Sequence, residues 1–115
     1  MSKNPSGPRI FLKTWSGKST FEYHGTVKDG ITLHYGKGHK NRLEIRGADI
    51  LKAIAVFKGK EVSIGTHHSK PPVGSFGHWF QRNVTKTSVA SYLGPIFIAE
   101  GYAERGSQPD LILFL

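Results

Sequence analysis

The sequence predicts an α+β fold, a short antiparallel β-hairpin or meander packed on a helix-strand-helix-helix-hairpin unit. Three observations predict it. Apolar and polar residues alternate between Thr20 and Tyr35, the period of half-buried strands, and the spacing changes to that of helices from Ala48 onward. Glycine and proline clusters mark the boundaries between those blocks. At 115 residues the chain can close one real core but not two of ordinary size. Residues 1–8 thus read as a flexible tail, 9–46 as a β-rich extension and 47–115 as the helical unit, together one folded domain.

Charge narrows the partners. Sixteen Lys and Arg stand against eight Asp and Glu, a formal +8, which draws polyanions over long range. Cysteine is absent, which removes disulfides and thiolate zinc sites and favours a cytoplasmic setting. No run approaches the ~18 apolar residues that a membrane span needs, and no signal-peptide pattern opens the chain. No membrane partner is expected.

Taken in order, Arg9 to Lys13 suits a short strand and Trp15 to Ser19 a loop. Gly17-Lys18-Ser19-Thr20 has the wording of a phosphate-binding loop, but Leu12 stands where that loop needs glycine and a strand pattern follows instead of a helix. Thr20–Val27 and Ile31–Tyr35 alternate as two strands around Lys28-Asp29-Gly30. In that register His24 faces His34 on a solvated side, two imidazoles without the third ligand that a metal requires. Gly36 to Arg42 gathers Lys37, His39, Lys40 and Arg42 between glycines, and it reads equally as a phosphate-holding loop or a merely charged one. Leu43 to Ile45 returns as a third strand of the hairpin.

Ala48–Lys58 places Ile50, Leu51, Ile54 and Phe57 on one helical face, with Gly59 to end it. Lys60–Ile64 is a strand, and the paired prolines make Gly65–Gly74 a loop. Ser75 then caps a second helix, whose inner face is Phe76, Trp79, Phe80 and Val84 and whose outer face is His78, Gln81 and Arg82. Thr85-Lys86-Thr87 signals a third helix over 86–100, apolar at Val89, Tyr92, Leu93, Ile96 and Phe97. Gly94-Pro95 should kink or break it. After Gly101, Tyr102–Arg105 and Leu111–Leu115 form strands around Gly106–Asp110, and Leu111, Leu113 and Leu115 must pack to stay out of water.

In that order the stretches SFGHWFQRN, TKTSVASYL and EGYAERGSQPDLILFL resemble a winged helix-turn-helix domain spanning about three-fifths of the chain, residues 48–115. The resemblance implies that the 86–100 helix lies in a major groove, with Gly106–Asp110 of the 102–115 hairpin as the wing beside the backbone. The residues themselves agree: Lys86, Thr87, Ser88 and Ser91 are small or basic at a helix start, while Arg82 and Arg105 flank them as phosphate contacts. Lys37, Lys40 and Arg42 offer a second basic surface. The expected function is nucleic-acid binding, foremost sequence-specific recognition of double-stranded DNA, with RNA as the other candidate. Transcription regulation in a phage, plasmid or restriction setting follows by fold analogy alone.

No cofactor, metal or catalysis is expected. The rival readings are a small nuclease using His67, His68 and His78 with Lys70 in the 67–78 loop, and a protein-interaction module on Trp15, the tyrosines and that loop. Glu44-Ile45-Arg46 is only a fragment of a metal-nuclease motif, since arginine does not release its proton.

Overall fold

The structure is a computed structural model that describes residues 8–67 and 70–115. The expected tail, apart from Pro8, and His68 lie outside the described residues. The chain runs β1 (Ile10–Lys13), β2 (Thr20–Thr26), β3 (Gly30–Tyr35), a 3-10 turn at Lys37–His39, β4 (Asn41–Ile45), α1 (Gly47–Phe57), β5 (Glu61–Ser63), α2 (Phe76–Asn83), α3 (Ala90–Ala99), β6 (Ala103–Arg105) and β7 (Leu111–Phe114). An antiparallel meander β1-β2-β3-β4 makes one sheet and β5-β7-β6 the other, so the class is α+β.

The meander differs from its expected register. Thr26 pairs with Gly30, so the loop is Val27-Lys28-Asp29 and His34 stands opposite Glu22 rather than His24. The shift has two causes: the Val27 amide leaves the ladder to donate to Glu100 Oε1 at 3.0 Å, and Thr26 Oγ1 takes the Asp29 amide at 3.0 Å. Nor do Thr32 and His34 face water. Both are buried, because β3 is a central strand and the rows Glu22–His34–Arg42 and His24–Thr32–Glu44 lay longer side chains beside them.

α1 buries Ile50, Ala53, Ile54 and Phe57, leaving Leu51 outside, and Gly59 follows with φ 78°. Phe57 stacks on Phe114 at 5.5 Å, and Phe76, Phe80 and Phe97 complete an aromatic core in which each fully buried ring contributes about 2–3 kcal/mol. α2 starts as its sequence requires, with Ser75 Oγ accepting from the His78 amide at 3.0 Å. In β7 the inward residues are Ile112 and Phe114; Leu111 and Leu113 are half-buried and Leu115 is exposed, one residue out of step with the apolar run.

α3 corrects two expectations. It begins at Ala90, so Lys86, Thr87 and Ser88 precede it in a turn where Thr85 Oγ1 accepts the Thr87 amide at 3.2 Å and so competes with a helix start. It then runs unbroken through Gly94-Pro95. Proline leaves the carbonyl four residues earlier without its usual donor, and that carbonyl, of Ser91, is taken by the Trp15 amide at 2.9 Å. Trp15 also explains the glycine: a Cβ on Gly94 would lie 2.6 Å from its ring.

The same tryptophan joins the two sheets. Its Nε1 donates to Pro109 O at 2.9 Å, and its carbonyl accepts from Arg105 Nη2 at 2.9 Å. Farther along α3, Tyr92 packs on Phe21 and Tyr35, and Glu100 accepts from the Tyr23 hydroxyl at 3.1 Å as well as from Val27. Burial, and then the Glu100 carboxylate, push the Tyr23 phenol well above its usual range, so the hydroxyl keeps its proton as donor.

Candidate nucleic-acid interface

Three clefts lie on either side of the turn 85–88. The first, about 640 Å³, is lined by Lys70, Pro71, Val73, His78, Gln81, Arg82 and Lys86. Its two walls follow from local sequence. The amphipathic α2 turns Phe76 and Phe80 inward and so brings His78, Gln81 and Arg82 outward, while Pro71-Pro72 keeps the facing loop out of helix and ladder and leads into a turn closed by the Ser75 amide on Pro72 O at 3.0 Å. Lys70, Arg82 and Lys86 are all exposed.

Beyond the turn, a second cleft of about 330 Å³ is walled by hydroxyls: Thr14, Ser16, Ser19, Thr66, Ser88 and Ser91, with Lys18 and Tyr92. Lys18, Ser19 and Tyr92 also line the third, about 600 Å³, whose other residues are Thr20, Gly36, Lys37, Gly38 and His39. No Asp or Glu lines any of the three among the described residues. Five of the eight acids have partners: Glu22 with His39 and Arg9, Glu44 with Arg42, Asp49 with Arg46, Glu61 with Ser107, and Glu100 inside the seam.

The residues expected to bind therefore separate. Arg82 and Lys86 meet in the first cleft, Ser88 and Ser91 in the second, and Lys37 lines the third. Thr87 is half-buried in the turn between them. Lys40 is exposed and lies along Gly38. Arg42 donates to Glu44 at 2.8 Å in a solvent-exposed pair. Arg105 stacks on the Trp15 ring at 3.9 Å while bonding its carbonyl, so this guanidinium holds the seam together. The hairpin tip is fastened too, Glu61 accepting both the amide and the hydroxyl of Ser107 at 2.6 and 3.1 Å. Arg105 remains exposed beside Trp15, and the acid Glu61 stands at the base of the hairpin tip.

α3 is likewise not presented as the 86–100 helix was expected to be. It carries no Lys or Arg, and the face bearing Tyr92 and Gly94 is covered by Phe21, Tyr35 and Trp15 of the meander. The face left by the 47–115 unit is occupied by residues 10–45.

Lys18, Thr20, His39, Tyr92 and Lys70 are each named from the sequence but not among the expected nucleic-acid contacts, and all five line clefts. A signal for the first three was present: in an antiparallel meander the first and third turns fall at the same end, so the two Gly-Lys segments at 17–18 and 36–37 had to be neighbours once β1 was paired with β2. Of the nuclease candidates, His67 Nδ1 accepts the Lys70 amide at 2.9 Å, and His78 lines the first cleft. Among the described residues no group of three His, Cys, Asp or Glu is placed to hold a metal ion, and no helix is long and apolar enough to cross a membrane.

The chain matches no protein-family model, no curated protein and no solved structure.

Proposed function

We propose that the protein binds nucleic acid, double-stranded DNA foremost, through the clefts that flank the turn 85–88. The observation that carries this reading is the convergence of Lys70, Arg82 and Lys86 on one acid-free cleft, with the hydroxyl-lined cleft and Lys18 next to it. Cations neutralise phosphates without reading bases, and short hydroxyls let a backbone approach closely. The order α1-β5-α2-α3-β6-β7 supports a winged-helix arrangement for the C-terminal half. Within it, α2 and the turn are the elements offered to a duplex, because the meander sits on α3. Contacts of this kind favour backbone binding over strong base selectivity, and a regulatory role would draw its sequence preference from Thr87, Ser88 and Ser91 alone.

The test is the salt dependence of binding to a duplex of about twenty base pairs. The log-log slope should be about −3 to −5, at ~0.9 per neutralised phosphate, and Arg82→Ala with Lys86→Ala should flatten it by about 1 to 2 units. Unchanged affinity and slope in that double variant would remove the first cleft from the interface. A single-stranded RNA of equal length that bound more tightly would make RNA the partner.

A further inference from the structure

We infer that the third cleft, between the turn at 17–20 and the loop at 36–40, is a binding site for a phosphate monoester, the terminal phosphate of a strand or a free mononucleotide. The site shares Lys18, Ser19 and Tyr92 with the second cleft but no residue with the first, whose cations carry the duplex reading.

The first argument is convergence. Gly17-Lys18-Ser19-Thr20 and Gly36-Lys37-Gly38-His39 lie on different hairpins, yet they face one another across a space of about 600 Å³, the size of a small-ligand site, with Tyr92 also lining it. Gly36 and Gly38 adopt φ of 79° and 66°, which folds the second loop tightly.

The second argument is His39, which has φ 54° and is the one non-glycine residue with positive φ among the described residues. Such a conformation persists where surrounding bonds hold it, and it tends to mark functional positions. Both ring nitrogens are engaged: Nδ1 donates to Glu22 Oε2 at 2.7 Å, and Nε2 lies 3.1 Å from Thr20 Oγ1. The hydrogen bond from His39, and then the Arg9 charge, hold the Glu22 carboxyl below its usual range against its desolvation, so Glu22 stays ionised and anchors the ring. With Nδ1 donating to Glu22, the neutral imidazole accepts the Thr20 hydroxyl hydrogen at Nε2; an anion in the cleft would favour a proton on Nε2, which turns that hydroxyl hydrogen toward a ligand oxygen. The Glu22 carboxylate accepts from the imidazole, and the imidazole in turn orients the hydroxyl at the edge of the cleft.

The third argument is charge. A monoester carries about −1.5 to −2 near neutral pH, where a diester carries one charge. Lys18, Lys37 and the His39–Thr20 chain supply several donors for that larger charge, and the single carboxylate nearby is already bonded to His39 and Arg9. This is not a helix-backed phosphate loop, because β2 starts at Thr20. Recognition therefore falls on side chains, and their removal should be decisive.

The experiment uses the full chain, with 3′-labelled twelve-nucleotide strands that carry a 5′-phosphate or a 5′-hydroxyl, and separately with 5′-AMP and inorganic phosphate followed through the amide and ring signals of Lys18, Lys37 and His39. The phosphorylated strand should bind about tenfold more tightly, one charge-assisted contact's worth. Lys37→Ala, or Thr20→Val, should abolish that ratio while leaving the 5′-hydroxyl strand nearly unaffected; Arg82→Ala with Lys86→Ala should weaken both strands and preserve it. His39→Asn, which tolerates the left-handed backbone, should lose the ratio while melting like the parent chain. Signal shifts with 5′-AMP but no strand preference would assign the site to free mononucleotides, and a preference without AMP binding would assign it to strand ends. Equal affinity for the two strands, together with no response to AMP or phosphate, would overturn the proposal. The small-ligand arm contains no duplex, so it stands even if duplex binding fails.

Discussion

The meander and the helical half are assembled by different kinds of contact. Every strand of the meander pairs with its neighbour in the chain, so its turns, and the lysines on them, are placed by short-range pairing. In the helical half β5 pairs with β7, Glu61 with Leu113 and Val62 with Ile112, so its sheet closes only when the last strand returns past both helices. The clefts inherit the difference. The one at 17–20 and 36–39 is framed by two local hairpins and held by a hydrogen-bonded histidine, whereas the one at Lys70, Arg82 and Lys86 presents long cations from a helix, a loop and a turn. On the two proposals, the first would position a ligand and the second would neutralise one. Trp15, Tyr23 and Glu100 make the two halves depend on each other.

That dependence can be broken at the seam. Trp15→Ala should have the largest effect, about 3–5 kcal/mol of stability for a buried tryptophan, and it also frees Arg105 and strands Pro109 O. Chemical denaturation followed by two probes, Trp79 fluorescence for the helical half and far-ultraviolet circular dichroism for the whole, checks it. Loss of much less than this would mean that the halves cohere without Trp15.

Glu100→Ala comes next, at about 1.5–3 kcal/mol, because it leaves the Val27 amide and the buried Tyr23 hydroxyl without their charged acceptor. An unchanged denaturation midpoint would remove this residue from the seam.

The meander should respond to pH through its buried histidine. Burial, with the neighbouring Arg9, His24 and Arg42, holds the His34 pKa down against the opposing pull of Glu22. A depressed folded-state value means that the unfolded chain takes up the proton first. The contribution of neutral His34 is therefore complete above about pH 6.5 and lost as pH falls through the folded-state value. Thermal melts from pH 8 to 5 should decline over that window, and His34→Gln should shallow the decline; an equal slope in the variant would place its origin elsewhere.

Pro95→Ala should have the smallest effect, under about 1 kcal/mol in either direction, whereas proline in an unsupported helix costs about 3. The Ser91 carbonyl already has the Trp15 amide, so a restored helical donor gains little. A gain of several kcal/mol on thermal unfolding would show that the proline is strained.

Much of the fold was legible because it depends on neighbours in sequence. Ser75 and its cap, the inward Phe76 and Phe80, Gly59 after α1 and the alternation of β2 all express local geometry, and so do the α+β class and the order of elements. Less of the site could be read. Arg82 and Lys86 share a cleft, whereas Arg105 lies on Trp15 and Arg42 beside Glu44, partners that no periodicity reveals. Composition shows that an arginine is there, and only the fold shows what lies next to it.

By itself, then, the sequence determined the local elements, their order and a basic, cysteine-free surface, because backbone dihedrals, capping and amphipathic spacing act over a few residues. Tertiary structure decided where α3 starts, why it survives Pro95, which residue covers it and which lysines meet across a cleft. Each of those outcomes turns on a contact between distant parts of the chain, the Trp15 amide on the Ser91 carbonyl or one Gly-Lys turn facing another, and such contacts exist only once both partners are folded.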